Sequence, residues 1–211
     1  MPITEIALLR LKNPNKYRDA MLKLFHAAEE QWRWSQHPVR AFRQVEDPTL
    51  VYLFGGWESV VAHLEDWLPS AQNKAALESI KEYLEIVWMF HVDIEPSKHS
   101  ELLNAPSIAI NRYFVKRSRK LDLETLFKVR QTRLEEIADD IEPDFTGGWR
   151  IDNYGGDEEF FFLSHWEDAE NHATELEFSR GYYENGSSTT ATAEAGLLKN
   201  RGLSVVFSQI D

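Results

Sequence analysis

The order of apolar and polar positions along the chain alternates between strand and helix periods. Ile3 to Lys12 reads as a strand, and Asn15 to Trp32 follows with Tyr17, Met21, Leu24, Phe25, Ala28 and Trp32 at helical spacing. His37 to Val45 and Leu50 to Trp57 read as strands joined by Glu46-Asp47-Pro48, whose proline and acidic residues favour chain reversal. Ser59 to Glu85 is helical in pattern with a break at Pro69. Ile86 to Glu95, rich in aromatic and β-branched residues, then reads as a closing strand. The predicted order is β-α-β-β-α-β.

The rest of the chain repeats that order. Ser107 to Lys116 is a predicted strand and Asp122 to Ala138 a helix. Thr146 to Asn153 and Glu158 to Trp166 form a hairpin pair, Asp168 to Phe178 a helix, and Leu203 to Ile210 a closing strand. A short signature recurs. A strand ends in Trp-Glu and a histidine follows six residues after the tryptophan, as Trp57-Glu58 with His63 and as Trp166-Glu167 with His172. Ile6-Ala7 with Arg10 similarly matches Ile108-Ala109 with Arg112. The expected organisation is a first unit over 1–96, a proline-bounded polar linker over 97–106 and a second unit over 107–211. Asn185 to Ala193, rich in Ser and Thr, reads as a surface loop before the last strand.

Each β-α-β-β-α-β unit makes a four-stranded antiparallel sheet with two helices on one face. Leu50 to Phe54 and Phe160 to Leu163 are apolar at consecutive positions, so both faces of those strands are expected to be buried. Two fused units can supply that cover by pairing their sheets. The expected fold is therefore α+β: two tandem ferredoxin-like units whose antiparallel sheets pair into an intramolecular α/β barrel with helices outside.

Composition narrows the function. The 211 residues include no cysteine, which excludes disulfides, thiolate nucleophiles and cysteine-based metal sites. Acidic residues outnumber basic ones 35 to 23, for a formal net charge of −12, so the overall field repels phosphate backbones and argues against nucleic acid as a partner. The short Lys116 to Lys120 basic run reads as a solvated loop. No stretch reaches the ~18 apolar residues of a membrane helix, and no secretory leader pattern opens the chain, so a cytoplasmic location without membrane contact is expected. No Gly-rich dinucleotide fingerprint and no metal-ligand spacing occurs, so no cofactor and no metal are expected.

Taken together, the duplicated plan, the strand ending in Trp-Glu and the histidine six residues on resemble the dimeric α/β-barrel superfamily, and within it the antibiotic-biosynthesis-monooxygenase-like proteins, here as a fused tandem pair. That resemblance implies a pocket between each sheet and its own helices. The chemistry it implies ranges over cofactor-independent oxidation of anthrone-like phenols, polyketide cyclisation, dehalogenation, decarboxylation and heme degradation. It fixes fold better than reaction.

Comparison of the halves selects candidate residues. Arg130 interrupts the apolar stripe Leu123, Phe127, Leu134, Ile137 where the first half has Leu24; Asn111 and Tyr113 stand where it has Leu9 and Leu11. If that strand face looks toward the helix, a cation, an amide and a phenol converge among apolar walls, as in a small-molecule site. The alternative places Arg130 at the helix edge, paired with Glu124, Glu135 or Asp152. His172 and His165 are the candidate bases beside Arg130 as anion stabiliser, although a histidine repeated in both halves also suits a structural hydrogen bond. Asn111, Tyr113, Trp166, His63 and His91 are the candidate substrate-binding residues. His91 shares a strand face with Asp93, a carboxylate able to orient it. Most tryptophans are expected in the core.

The leading functional reading is a cofactor-independent enzyme of secondary metabolism, of monooxygenase or polyketide cyclase type. It deprotonates a small aromatic or polyketide-like substrate, which is then oxygenated, cyclised, dehydrated or decarboxylated. The alternatives are a non-catalytic small-molecule-binding or stress-response barrel and a heme-binding or heme-degrading protein. The tandem plan permits a monomer or a homodimer.

Overall fold

The computed structural model describes residues 1–105, 107–137, 145–153, 155–166 and 203–209. β1 (Ile3–Leu11) leads through a short 3-10 turn to α1 (Tyr17–Ser35). α1 stops where Gln36 adopts a left-handed conformation (φ 60°) and its N–H bonds the Trp32 carbonyl. β2 (Val39–Gln44) and β3 (Leu50–Trp57) form the expected pair. The break at Pro69 separates a π-helical segment (Ala62–Trp67) from α2 (Ala71–Ile80), whose first turn is capped by the Ser70 side chain accepting the Asn73 N–H. β4 (Leu84–Val92) ends the first half.

The joint between the halves is less polar than its sequence suggests. It folds into a 3-10 turn (Pro96–His99) and a short helix, α3 (Ser100–Leu103), and it buries Leu102, Leu103 and Ala105 in a core built by both halves. The second half supplies β5 (Ser107–Val115), α4 (Lys120–Ile137), β6 (Phe145–Trp149), β7 (Glu158–Trp166) and β8 (Leu203–Gln209). The helix expected over 168–178 and the loop expected over 185–193 lie outside the described residues.

All strands pair antiparallel in one eight-stranded sheet of order β4-β1-β3-β2-β8-β5-β7-β6. Each half repeats the same internal order, the ferredoxin-like arrangement, and β2 joins β8 from Phe42↔Gln209 to Gln44↔Phe207. The two end strands are not paired along their length among the described residues. They meet at an isolated bridge, Val92↔Arg150, flanked by Asp93 N–H to Trp149 O (3.0 Å) and Ile151 N–H to His91 O (2.9 Å).

Both faces of the sheet are buried, as the consecutive apolar runs predicted. Ile6, Leu8, Tyr52, Phe54, Phe90, Ile108, Ile110, Phe161 and Leu163 face a core common to both halves. The alternate residues Ala7, Leu9, Leu11, Val51 and Leu53 pack under α1 and α2, and Val115 and Phe160 pack with Trp149 against Leu123 of α4. Each fully buried large apolar side chain contributes about 1.5–3 kcal/mol. The tryptophan expectation holds for Trp57, Trp67 and Trp149 but not for Trp32 and Trp34, which are 53% and 42% exposed. The inward stripe of α1 passes through Leu24 to Gln31, and that register leaves Trp32 outside.

Candidate functional site

In the first half the space between sheet and helices is not filled. Small side chains at Ala7 on β1, Ala27 and Ala28 on α1 and Ala76 on α2 leave a cavity of about 250 Å³, walled by Leu9, Leu24 and Leu53. Its polar groups are Glu5, Gln31, His63 and Asn73. An apolar pocket with a few converging polar groups is the usual form of a small-molecule site.

Glu5 follows from strand alternation: it lies on the helix-facing side of β1 with Ile3, Ala7, Leu9 and Leu11, and it is 4% exposed. Its Oε2 accepts Trp57 Nε1–H at 2.8 Å and Gln31 Nε2–H at 3.0 Å. Gly55 pairs with Glu5 across the sheet, and a Cβ there would collide with the Gln31 amide, so close approach requires glycine. Burial pushes the Glu5 carboxyl above the ordinary carboxylate range, against the lowering effect of the Trp57 and Gln31 donors and of His91.

The π-helical segment turns His63 and Trp67 inward together, each almost fully buried. His63 stacks on the Trp57 indole, with ring centres 4.4 Å apart and planes 12° from parallel. Its Nε2 lies 3.6 Å from Glu5 Oε2 and its Nδ1 lies 2.7 Å from His91 Nε2. Burial, reinforced by the adjacent His91, holds the His63 imidazole down at about 3, so it is neutral at pH 7.

His91 sits beside Glu5 across the β1–β4 pair and is fully buried. Both its backbone N–H and its Nδ1 lie 3.1 Å from Asp152 Oδ2. Burial works to raise the Asp152 carboxyl, but donors from His91 and Arg150 hold it below its ordinary range, as a carboxylate. A carboxylate oxygen only accepts, so His91 Nδ1 carries a proton. When His91 is protonated at Nδ1 alone, its Nε2 accepts from His63 Nδ1–H, and His63 Nε2 is left bare beside Glu5 and the cavity. The arrangement presents a base at the cavity, a second imidazole to take up its proton, and a carboxylate to stabilise the resulting imidazolium.

The expected site residues fall into separate places. His63 and His91 come together. The orienting carboxylate for His91 is Asp152 and not Asp93, whose side chain instead accepts the Trp149 N–H. Asn111 and Tyr113 stand on the face of β5 that meets α4, opposite Phe162 and Phe160, and Tyr113 packs with Phe127 and Phe162. His165 pairs with Ile108 and is half-buried on the other face, with Phe161 and Leu163, so it does not converge with Asn111 and Tyr113. Arg130 lies in α4 and Trp166 ends β7, but their side chains lie outside what is described, as does the whole of His172. Asp152, one of the partners weighed for Arg130, bonds Arg150 and His91.

Glu5, Gln31 and Asp152 are the functional candidates that sequence reasoning missed. The first two carried a signal, being polar residues on otherwise apolar strand and helix faces. Ile6 aligns with Ile108, so Glu5 stands where the second half has Ser107, an asymmetry of the kind sought in the other half. Asp152 had none, since 61 residues separate it from His91.

One antiparallel sheet in which each half repeats the same strand order, with helices packed on it, is an α+β fold of ferredoxin-like type, shared with solved monooxygenase-like structures. Among solved structures, an anthrone oxidase-like protein superimposes with a TM-score of 0.62 at 11% identity, covering 100% of this chain and 92% of that one. A candidate monooxygenase from Fusobacterium nucleatum gives 0.61 at 12% identity, covering 100% and 93%. A chlorite dismutase from Candidatus Nitrospira defluvii gives 0.54 at 8% identity, covering 100% and 91%. Likeness at these identities is a likeness of fold. No protein-family model matches the chain, and no curated protein matches it.

Heme, one reading of this fold, does not suit the first-half cavity. A space of about 250 Å³ is too small for the porphyrin, and His63 is its one lining imidazole. Among the described residues no group of three or more His, Asp or Glu side chains is arranged to hold a metal ion, and no helix is long and apolar enough to cross a membrane.

Proposed function

We propose that the chain is a fused pair of ferredoxin-like units, residues 1–96 and 107–211, closing into one α/β barrel, and that it is a cofactor-independent enzyme acting on a small phenolic or enolisable substrate. The observation that carries the catalytic reading is the buried series Glu5, His63, His91 and Asp152 at the polar end of an apolar cavity. The bridge between Val92 and Arg150 supports the barrel, because it joins the two ends of the sheet.

In this reading the substrate's ring fills the space between Leu24 and Leu53, and its acidic C–H or O–H faces His63 Nε2. His63 takes that proton at Nε2 and passes its Nδ1 proton to His91 Nε2, so the charge resides on His91 against the Asp152 carboxylate. The relay compensates for the low basicity of an isolated buried imidazole. Glu5, whose carboxyl burial pushes toward the protonated form, is placed to donate to the oxygen that becomes negative, while Trp57 and Gln31 hold the carboxyl in place. No lining residue of this cavity is cationic, so the substrate's reacting portion is uncharged before deprotonation. The anion then reacts with dioxygen, or closes a ring and loses water or carbon dioxide.

Hydrogen–deuterium exchange tests the deprotonation step without assuming the later chemistry. Anthrone, 2-naphthol and a 1,3-diketone are incubated in D₂O with the protein and with His63→Gln, and exchange is followed by NMR. The expected result is accelerated exchange for at least one compound, lost in the variant, after which aerobic and anaerobic incubations separate oxygenation from ring closure. Exchange at the buffer rate for every compound, with no binding shift in the protein spectrum, refutes the reading.

A further inference from the structure

We propose that Arg150 and Glu159, anchored by Arg112, are positioning residues that act through Asp152 to fix the protonation state of His91. The inference rests on the functional reading above, because it concerns the relay behind the base. Beyond Asp152 the polar contacts continue unbroken. Arg150 Nε–H donates to Asp152 Oδ1 at 2.8 Å, and Arg150 Nη1–H donates to Glu159 Oε2 at 3.2 Å. Arg112 Nε–H donates to Glu159 Oε1 at 2.6 Å.

This string is stiff and largely dry. Glu159 is 2% exposed. The Arg112 guanidinium lies within 5.5 Å of the ring centres of Trp88, Phe90, Phe114 and Phe161, and that of Arg150 lies 4.6 Å from Phe90. Two guanidiniums balance two carboxylates, so the string is neutral and ends on His91. The other charged or titratable groups facing His91 are Glu5 from β1 and His63 from the π-helical segment, with Asp93 two residues further along β4 and held by the Trp149 N–H. Every member of the string comes from the second half, while the cavity it serves is in the first. The second half thereby sets the proton affinity of a base it does not itself carry.

The arrangement predicts effects of opposite sign. Glu159→Gln removes a negative charge, leaves the string one positive unit in excess and disfavours the His91 imidazolium. Arg150→Met leaves it one negative unit in excess and favours the imidazolium. A merely structural role would loosen His91 in both variants and move them the same way.

The test is long-range ¹H–¹⁵N spectroscopy of the full-length protein with ¹⁵N-labelled histidine between pH 5 and 8, with signals assigned from His63→Gln and His91→Gln. In the unsubstituted protein at neutral pH, His91 is expected as the Nδ1–H tautomer. Relative to it, the His91 proton-binding constant should fall about tenfold in Glu159→Gln and rise about tenfold in Arg150→Met, with Arg150→Lys restoring the original value. An Nε2–H tautomer with bare Nδ1 overturns the proposal, as do shifts of the same sign or no shift in either variant. If both variants fail to fold, the tautomer in the unsubstituted protein decides alone. Failure of the functional reading shows separately, as absent substrate exchange with these histidine spectra intact.

Discussion

Acidification from pH 7 to pH 5 should weaken the fold through His63, and the amount follows from its surroundings. The imidazole is 1% exposed, stacked on Trp57 and held down at about 3 from an ordinary 6.5. Between those two values the unfolded chain binds a proton that the folded chain refuses, so the stability contributed by neutral His63 is present above about 6.5 and is lost as pH falls. At about 1.4 kcal/mol per pH unit, the loss between pH 7 and pH 5 is roughly 2 kcal/mol. Glu5 acts in the opposite sense. Its raised value makes its contribution present below the ordinary 4.5 and lost as pH rises, and that contribution is common to the protein and to a His63→Gln variant. The assay is thermal unfolding of both proteins at both pH values. For a chain of this size ~2 kcal/mol corresponds to roughly 4–8 °C, so the gap between the protein and His63→Gln should close by that much at pH 5. A gap that stays constant from pH 7 to pH 5 would show that His63 is not kept neutral, and the relay argument would fail with it.

Other substitutions test the geometry around the cavity. Glu5→Leu leaves the buried Trp57 and Gln31 donors without their acceptor and should cost about 1–3 kcal/mol for each in denaturant unfolding, whereas Glu5→Gln should gain on the unsubstituted protein as pH rises above 4.5. Gly55→Ala should lower the melting temperature and separate Gln31 from Glu5, seen as a changed Gln31 side-chain amide signal. Ala28→Phe should fill the cavity and abolish binding of any phenol detected by thermal shift, with the far-ultraviolet circular dichroism unchanged. Leu24→Ala, at a site 2% exposed, should cost about 2–5 kcal/mol.

Much of the architecture was legible in the residues alone. Hydrophobic periodicity is local, so strand and helix positions emerged within a few residues, and Leu50–Trp57 and Glu158–Trp166 coincide with the expected bounds. The duplication was readable because Trp57 and Trp166 end the corresponding strand in each half. The burial of Leu102, Leu103 and Ala105 was not legible, because they look like a few apolar residues in a polar segment until two sheets meet around them.

The candidate site was legible only in fragments. His63 and His91 were singled out separately, but their distance of 2.7 Å depends on the wider turn of the π-helical segment against β4. Arg130, Asn111 and Tyr113 stand out in the sequence because polar residues there break an apolar pattern. Glu5 breaks one equally, and Glu5 borders a cavity because alanines on β1, α1 and α2 leave room beside it. Sequence by itself determined element order, repetition and the buried faces, since these depend on neighbours a few residues away. Only tertiary structure decided that the first half is hollow and which carboxylate reaches His91, since a void is the sum of side-chain volumes from several elements and Asp152 arrives through strands paired across the whole sheet.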